Sequence, residues 1–212
     1  MLAIYIILAF ILVGLCFEIM DRIRRSKKPI PASPRSGKFF DSDFRKKLQP
    51  PEVILSRSGV ENGMTVMDLG CGSGAYTTEA ALKVGRKGRV YGIDLQQEML
   101  DQVEKKLKGP KYKKLKNVEL VKASAYKLPV KSNCIDVLFL VDVLNEIPDR
   151  EKAIKEMRRV LKNKGIISVT EFFLDPDFRF KFATTNLFEK VRFTEVNSYG
   201  SLLHYTVQFQ KH

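Results

Sequence analysis

Cysteine and histidine are scarce in this chain. Of 212 residues, three are cysteine and two are histidine. Cys16, Cys71 and Cys134 lie far apart, are odd in number and form no Cys-x-x-Cys pair. That argues against a disulfide framework and against a zinc site. His204 and the terminal His212 complete the histidines, so no histidine cluster supports a metal, and none is expected. No Gly-Lys-Ser/Thr follows the glycine-rich stretch at Gly70, which excludes a P-loop. No internal repeat is visible.

Acidic residues are the minority charge. Lysine and arginine number 37 against 24 acids, a net charge of +13. Such a balance suits nucleic acid or an anionic membrane surface, with a solvated lysine face as the plainer reading. The densest run is Lys105, Lys106, Lys108, Lys111, Lys113, Lys114 and Lys116. Tyr112 is the one aromatic within it, whereas a nucleic-acid surface calls for interleaved aromatics or a known module. Nucleic acid is therefore not the expected partner. A solvated face drawn to anionic lipid is.

Met1 to Phe17 carry no charged side chain. As a helix this run is ~25 Å long, near the lower limit for a bilayer span. Arg22, Arg24, Arg25, Lys27 and Lys28 follow it, and no basic residue precedes it. The positive-inside rule then puts the N-terminus outside and the rest in the cytoplasm. A cleaved signal peptide would want a basic start and small residues at a cleavage site, and neither is present. A hydrophobic helix docked on protein is the other alternative. The expectation is a transmembrane anchor over 1–20, then a basic linker over 21–38, stiffened by Pro29, Pro31 and Pro34 and able to lie against anionic headgroups. A single folded domain follows over 39–212. Nothing in the sequence specifies an oligomeric state.

With 44% hydrophobic residues the chain can bury a sizeable core. Strands are predicted at Thr65–Leu69, Arg89–Ile93, Val118–Lys122, Ile135–Val141 and Gly165–Phe172, with helices between them at Ala75–Val84, Gln97–Lys108 and Arg150–Leu161. "IDVLFLV" is apolar at nearly every position, as in a parallel strand covered on both faces. The alternation indicates a doubly wound, Rossmann-like α/β domain. "VRFTEVNSYG" and "SLLHYTVQFQ" read as a C-terminal antiparallel hairpin turning at Tyr199–Ser201. That brings the sheet to seven strands.

Within "TVMDLGCGSGAYTTEA", a strand runs through a glycine turn into a helix. Gly70-x-Gly72-x-x-Ala75 also satisfies the relaxed dinucleotide fingerprint, so the glycines alone do not choose a cofactor. Asp68, two residues before the first glycine, suits an ammonium or sulfonium and would repel a pyrophosphate. Asp94 ends the second strand, where a carboxylate accepts ribose hydroxyls in either kind of site.

The ordered stretches "VMDLGCGSGAYT", "VYGIDLQQEML", "ASAYKLPV" and "CIDVLFLVDVLNEIPDREKAIKEMRRVLKNKGIISVTEFF" resemble the successive motifs of class I S-adenosylmethionine-dependent methyltransferases. Within that family the sequence is most similar to the menaquinone and ubiquinone branch, from about Phe40 to Phe173. The resemblance implies S-adenosylmethionine as cofactor. Asp68, Gly70, Cys71, Gly72 and Gly74 would form the methionine side, Asp94 would hold the ribose, and Leu95, Ser124 and Ala125 would meet the adenine. "ASA" departs from the family's Gly-Asp-Ala, so Ser124 offers a hydroxyl where an aspartate is usual.

The resemblance also implies that residues after the fourth strand face the methyl group. Asp142 is the first candidate, followed by Asn145 and Glu146, although Glu146 equally serves to cap or solvate the loop. Glu171 and His204 are the candidate general bases for a phenol, enol or thiol acceptor, while a lone strand histidine is more often structural. "EFFLDPDFRFKF" alternates Phe178, Phe180 and Phe182 with Arg179 and Lys181, which suits a substrate mouth, a membrane surface or a packed lid.

The leading expectation is methyl transfer to a lipophilic small molecule of the membrane: a quinone precursor, a lipid headgroup or an apolar thiol. The alternatives are a lysine methyltransferase acting on membrane-adjacent proteins and a non-catalytic cofactor-binding adaptor. RNA methylation rests on net charge alone.

Overall fold

The computed structural model describes residues 29–212 continuously, with Tyr5, Ile6, Ala9, Phe10, Leu12, Val13, Gly14, Cys16, Phe17, Met20 and Arg24 before them. Much of the expected anchor over 1–20, and most of 21–28, therefore lies outside the described residues. Among the described residues no helix is long and apolar enough to cross a membrane.

One sheet carries the fold. Its strands are β1 (Thr65–Leu69), β2 (Arg89–Asp94), β3 (Val118–Lys122), β4 (Ile135–Val141), β5 (Leu161–Phe172), β6 (Phe193–Gly200) and β7 (His204–Lys211). They lie in the order β3-β2-β1-β4-β5-β7-β6. β1 to β5 are parallel, and β7 runs antiparallel to both β5 and β6. This is the expected α/β sheet with its terminal hairpin. The hairpin closes at residues 201–203, where the Ser201 N–H donates to the His204 carbonyl.

The apolar runs are explained by two covered faces. Val66, Val137 and Phe139 pack with Ala80, Ala81 and Val84 of helix α4 (Thr77–Val84). Their neighbours Met67, Leu138 and Leu140 point the other way, onto Ile154 and Met157 of α6 (Arg150–Val160). α5 (Gln97–Leu107) adds Leu100 and Val103 beside Cys71. The N-cap of α6 is Asp149, whose carboxylate accepts the Lys152 N–H at 3.0 Å. β5 starts earlier than the predicted Gly165. Leu161 already pairs with Ile135, and register resumes at Ile166 after Lys164 turns at φ +64°.

Ahead of the sheet come α1 (Gly37–Phe40), α2 (Asp43–Leu48) and α3 (Pro51–Arg57). They do not hang free. The Ser73 hydroxyl donates to the Gly37 carbonyl, and Tyr76 reaches the Gln49 carbonyl. The last part of the expected linker is thus laid across the carboxyl end of the sheet. A short α7 (Lys181–Glu189) connects β5 to the hairpin.

Candidate functional site

Strand order reverses beside β1, whose neighbours β2 and β4 leave in opposite directions. A crevice outside the carboxyl ends of the strands is expected there. It is present as a cavity of about 1120 Å³, counting the part open to solvent. Gly70, Cys71, Gly72, Asp94, Leu95, Ser124, Ala125, Asp142 and Glu146 of the expected site all line it.

The glycine turn has a reason at each position. Gly70 sits at φ +76°, and a β-carbon there would stand 2.4 Å from the Val143 Cγ1. Gly72, at φ +51°, faces open space, with Phe40 the nearest side chain at 3.8 Å. Gly74 does not line the cavity; its missing β-carbon lets the turn close on Val103 of α5. The N–H groups of Gly70 and Cys71 both donate to the Ile93 carbonyl, which ties the turn to β2. The Cys71 thiol is buried, and burial holds its pKa well above the ordinary thiol value.

Asp94 completes this wall. One carboxylate oxygen accepts the Gly72 N–H and the other the Gln96 N–H, each at 2.9 Å. A carboxylate has about four acceptor sites, so capacity remains for a vicinal diol. The Ser124 hydroxyl accepts the Tyr126 N–H at 3.3 Å, and no described residue accepts the Ala125 N–H.

Asp68 lies elsewhere. It is buried behind the turn, where its carboxylate accepts the Thr77 hydroxyl at 2.6 Å at the start of α4. Burial, with Asp94 adding to it, raises its pKa to about 7. It steadies the turn and does not reach the cavity wall, contrary to expectation.

The opposite wall follows β4. Asp142 turns at φ +55°, and its carboxylate is held on three sides. The Phe172 N–H donates to one oxygen at 2.8 Å; Gln49 and Arg45 donate to the other at 3.0 and 2.5 Å. Burial pushes the Asp142 pKa up to about 7, Arg45 opposes this, and Asp175 adds to it. Glu146 accepts the Ala32 N–H at 3.2 Å, and burial with Asp175 raises its pKa to about 8. The Ala32 carbonyl accepts from Gln96 at 2.8 Å. Ala32 therefore bridges the β4 and β2 walls, a strap across the cavity.

Asn145, Glu171 and His204 are not at the wall. The Asn145 amide donates to Glu171 at 3.0 Å in the interior. Burial holds the Glu171 pKa well above its usual value, because register pairs it with Tyr205 within the sheet. His204 packs against Phe172 with its Nε2 unpartnered, and burial lowers its pKa. None of these three lines the cavity. In their place stand Arg45, Tyr76, Gln96 and Asp175, none of which the sequence singled out.

The lining is acidic. Asp94, Asp142, Glu146 and Asp175 face it, and the one lysine or arginine among the lining residues is Arg45. A pyrophosphate would be repelled here, while a sulfonium and an ammonium would be attracted. A family model described as a methyltransferase domain matches residues 60–209. The chain belongs to that family.

Its cofactor is S-adenosylmethionine, and the residues fit it: an acidic lining, a diol acceptor at Asp94 and an unpaired N–H at Ala125. Among curated proteins, a demethylmenaquinone methyltransferase of Geobacillus stearothermophilus is 35% identical over 123 residues, 58% of this chain and 51% of that protein. A ubiquinone/menaquinone biosynthesis C-methyltransferase, UbiE, of Klebsiella pneumoniae is 39% identical over 115 residues, 54% of this chain and 45% of that one. The chain spans about half the length of the curated relatives it matches. Among solved structures, a SAM-dependent methyltransferase from Aquifex aeolicus superposes with a TM-score of 0.77 at 26% identity, over 84% of this chain and 98% of that one.

Proposed function

We propose that the protein methylates a lipophilic, quinone-type small molecule, and that an anchor over residues 1–20 and the basic segment after it hold it at a membrane with the domain on the cytoplasmic side. The observation that carries the chemistry is the continuity of the cavity. It runs from the glycine turn and Asp94 to Asp142 without a break. The relatives that act in quinone biosynthesis supply the acceptor class.

S-adenosylmethionine bound there supplies an activated methyl, and no metal is needed. The chain's own residues do the rest. Asp94 would hold the cofactor's ribose, and the Ala125 N–H would meet a ring nitrogen. Asp142 stands between the glycine turn and β5, with a pKa near 7. At that value it takes a proton from a hydroxyl acceptor, which raises the electron density of a phenol or quinol ring. Arg45 and Gln49 keep its carboxylate aimed while it does so. Positioning of the acceptor supplies much of the rate.

Incubating the full chain with membranes and radiolabelled S-adenosylmethionine tests this. Label extracted into the organic phase with a quinol-type product supports it. Label confined to protein bands would move the assignment to protein lysines. Cofactor binding with no label anywhere would leave a non-catalytic adaptor.

A further inference from the structure

We propose that the rim of the cavity is itself a membrane-docking surface, so that an apolar acceptor enters from the bilayer and not from water. This rests on the lipophilic-acceptor reading and adds the surface that would deliver it.

The rim is apolar on two sides. On one side Asp175 lines the cavity, and the segment around it is exposed. Leu174 is 61% exposed and Phe182 67%, with Phe173 and Phe180 also open. The rings form a chain: Phe173 on Phe178, Phe178 on Phe180, Phe180 stacked on Phe182. The β6–β7 turn joins this patch, since the Phe173 N–H donates to the Leu203 carbonyl and Leu202 is 68% exposed. On the other side Phe40 lines the cavity, and Phe39 and Phe44 are exposed. Arg45 connects the two sides. Its guanidinium lies about 6 Å from the Phe39 and Phe40 rings and binds Asp142, which in turn holds the Phe172 N–H. Two exposed apolar patches flanking one cavity mark an interaction site.

Two observations choose a bilayer as the occupant. Ala32 is tied to both cavity walls, so the segment that precedes it leaves from the mouth itself. The uncharged run Met1–Phe17 ends fifteen residues upstream, a reach of at most about 54 Å. On the Phe40 side the aromatics are also interleaved with cations, Lys38, Lys46 and Lys47 around Phe39 and Phe44. That mixture matches a headgroup–acyl boundary containing anionic lipid.

The chain contains no tryptophan, so one introduced tryptophan reports one position. Phe182→Trp and Leu202→Trp probe the rim. Leu82→Trp is the control, on α4 near Val84, whose carbonyl bonds Gly63 ahead of β1 at the far end of the sheet. The full-length variants are bound to phosphatidylcholine–phosphatidylglycerol vesicles with and without brominated acyl chains. The expected result is a blue shift and about twofold quenching at both rim positions, with none at Leu82→Trp. Vesicle-bound protein without quenching at the rim overturns the proposal, as does equal quenching at all three. A shift that needs no vesicles and grows with protein concentration would assign the patch to a second copy of the chain, also overturning it. Calorimetric S-adenosylmethionine binding and methyl transfer by each variant are read separately. Their absence in the parent chain, with quenching retained in the variants, would refute the enzymatic reading and leave docking standing.

Discussion

The Gly70–Val143 contact makes a demanding test of how the turn is built. Replacing Gly70 by alanine has two costs. The residue sits at φ +76°, where an L side chain costs about 1–2 kcal/mol. Its β-carbon would also lie 2.4 and 2.7 Å from the two Val143 methyl carbons, which must move. Overpacking of this kind costs roughly 1–3 kcal/mol, for a total of about 2–5 kcal/mol. Val143→Ala removes those two methyl groups but leaves its own β-carbon at 3.1 Å and the backbone strain untouched. The double variant should therefore show a favourable coupling of about 1–2 kcal/mol and incomplete recovery. Gly72→Ala is the contrast. Its new methyl would meet only Phe40, at 3.8 Å, so its stability cost is the backbone alone, about 1 kcal/mol, while the methyl would take up space at the cavity wall. Urea denaturation followed by far-UV circular dichroism gives the stabilities, and calorimetry gives S-adenosylmethionine affinity. The reasoning is refuted if Gly70→Ala unfolds like the parent, if Val143→Ala gives no coupling, or if Gly72→Ala is the less stable of the two.

Other outcomes follow from the same geometry. Arg45→Met leaves the buried Asp142 without its cation and raises its pKa further, so the loss of stability grows with pH and approaches about 3–5 kcal/mol only where Asp142 must ionise, together with easier proteolysis before Thr65. Asp94→Asn puts an amide donor against the Gly72 or Gln96 N–H and removes the charge, so calorimetric cofactor affinity falls about tenfold or more and stability falls by about 1–3 kcal/mol. Asp142 and Glu146, raised to about 7 and 8, are largely protonated in the free protein at pH 6, so affinity for the cationic cofactor rises from pH 6 to 9 and binding releases protons, measurable in buffers of different ionisation enthalpy. The unliganded protein moves the other way. Because these folded pKa values lie above the unfolded ones, their contribution to stability is full below about pH 4 and is lost as pH climbs through 7 to 8.

Legibility in the sequence followed the range of the interactions. β1 and β4 were readable because both faces of each strand are covered, which writes an unbroken apolar run into neighbouring residues. Asp94 was readable as an acid ending a strand beside a glycine turn. Asp68 carries the same local signal, yet Thr77, one turn into the structure, claims its carboxylate first. Glu171 and His204 read as strand-end candidates, but register against Tyr205 and Phe172 turns them away from the cavity. The strap was hidden for a different reason. Ala32 acts through its backbone alone, and three prolines describe a packed segment and a free linker equally well. Arg45 meets Asp142 across 97 positions and looks, in "FRKK", like any other surface cation. A signal for it exists only in the pairing, as a buried acid that needs a partner.

The acidic lining explains more than the choice of cofactor. In the free protein burial, with Asp175 adding to it, keeps protons on Asp142 and Glu146. A sulfonium and an ammonium allow those protons to leave, and the carboxylates then hold the ligand in place. Methyl transfer removes the sulfonium charge, since the product is a neutral thioether. The carboxylates lose a counter-charge at the moment the reaction is complete, and reprotonation becomes favourable again. On this charge argument alone the walls would hold a neutral thioether product less firmly than the sulfonium, without any change in shape. Arg45 cannot take over that role, because its guanidinium is already committed to Asp142. A cavity lined by lysines would have behaved in the opposite sense, repelling the methyl donor and favouring its product.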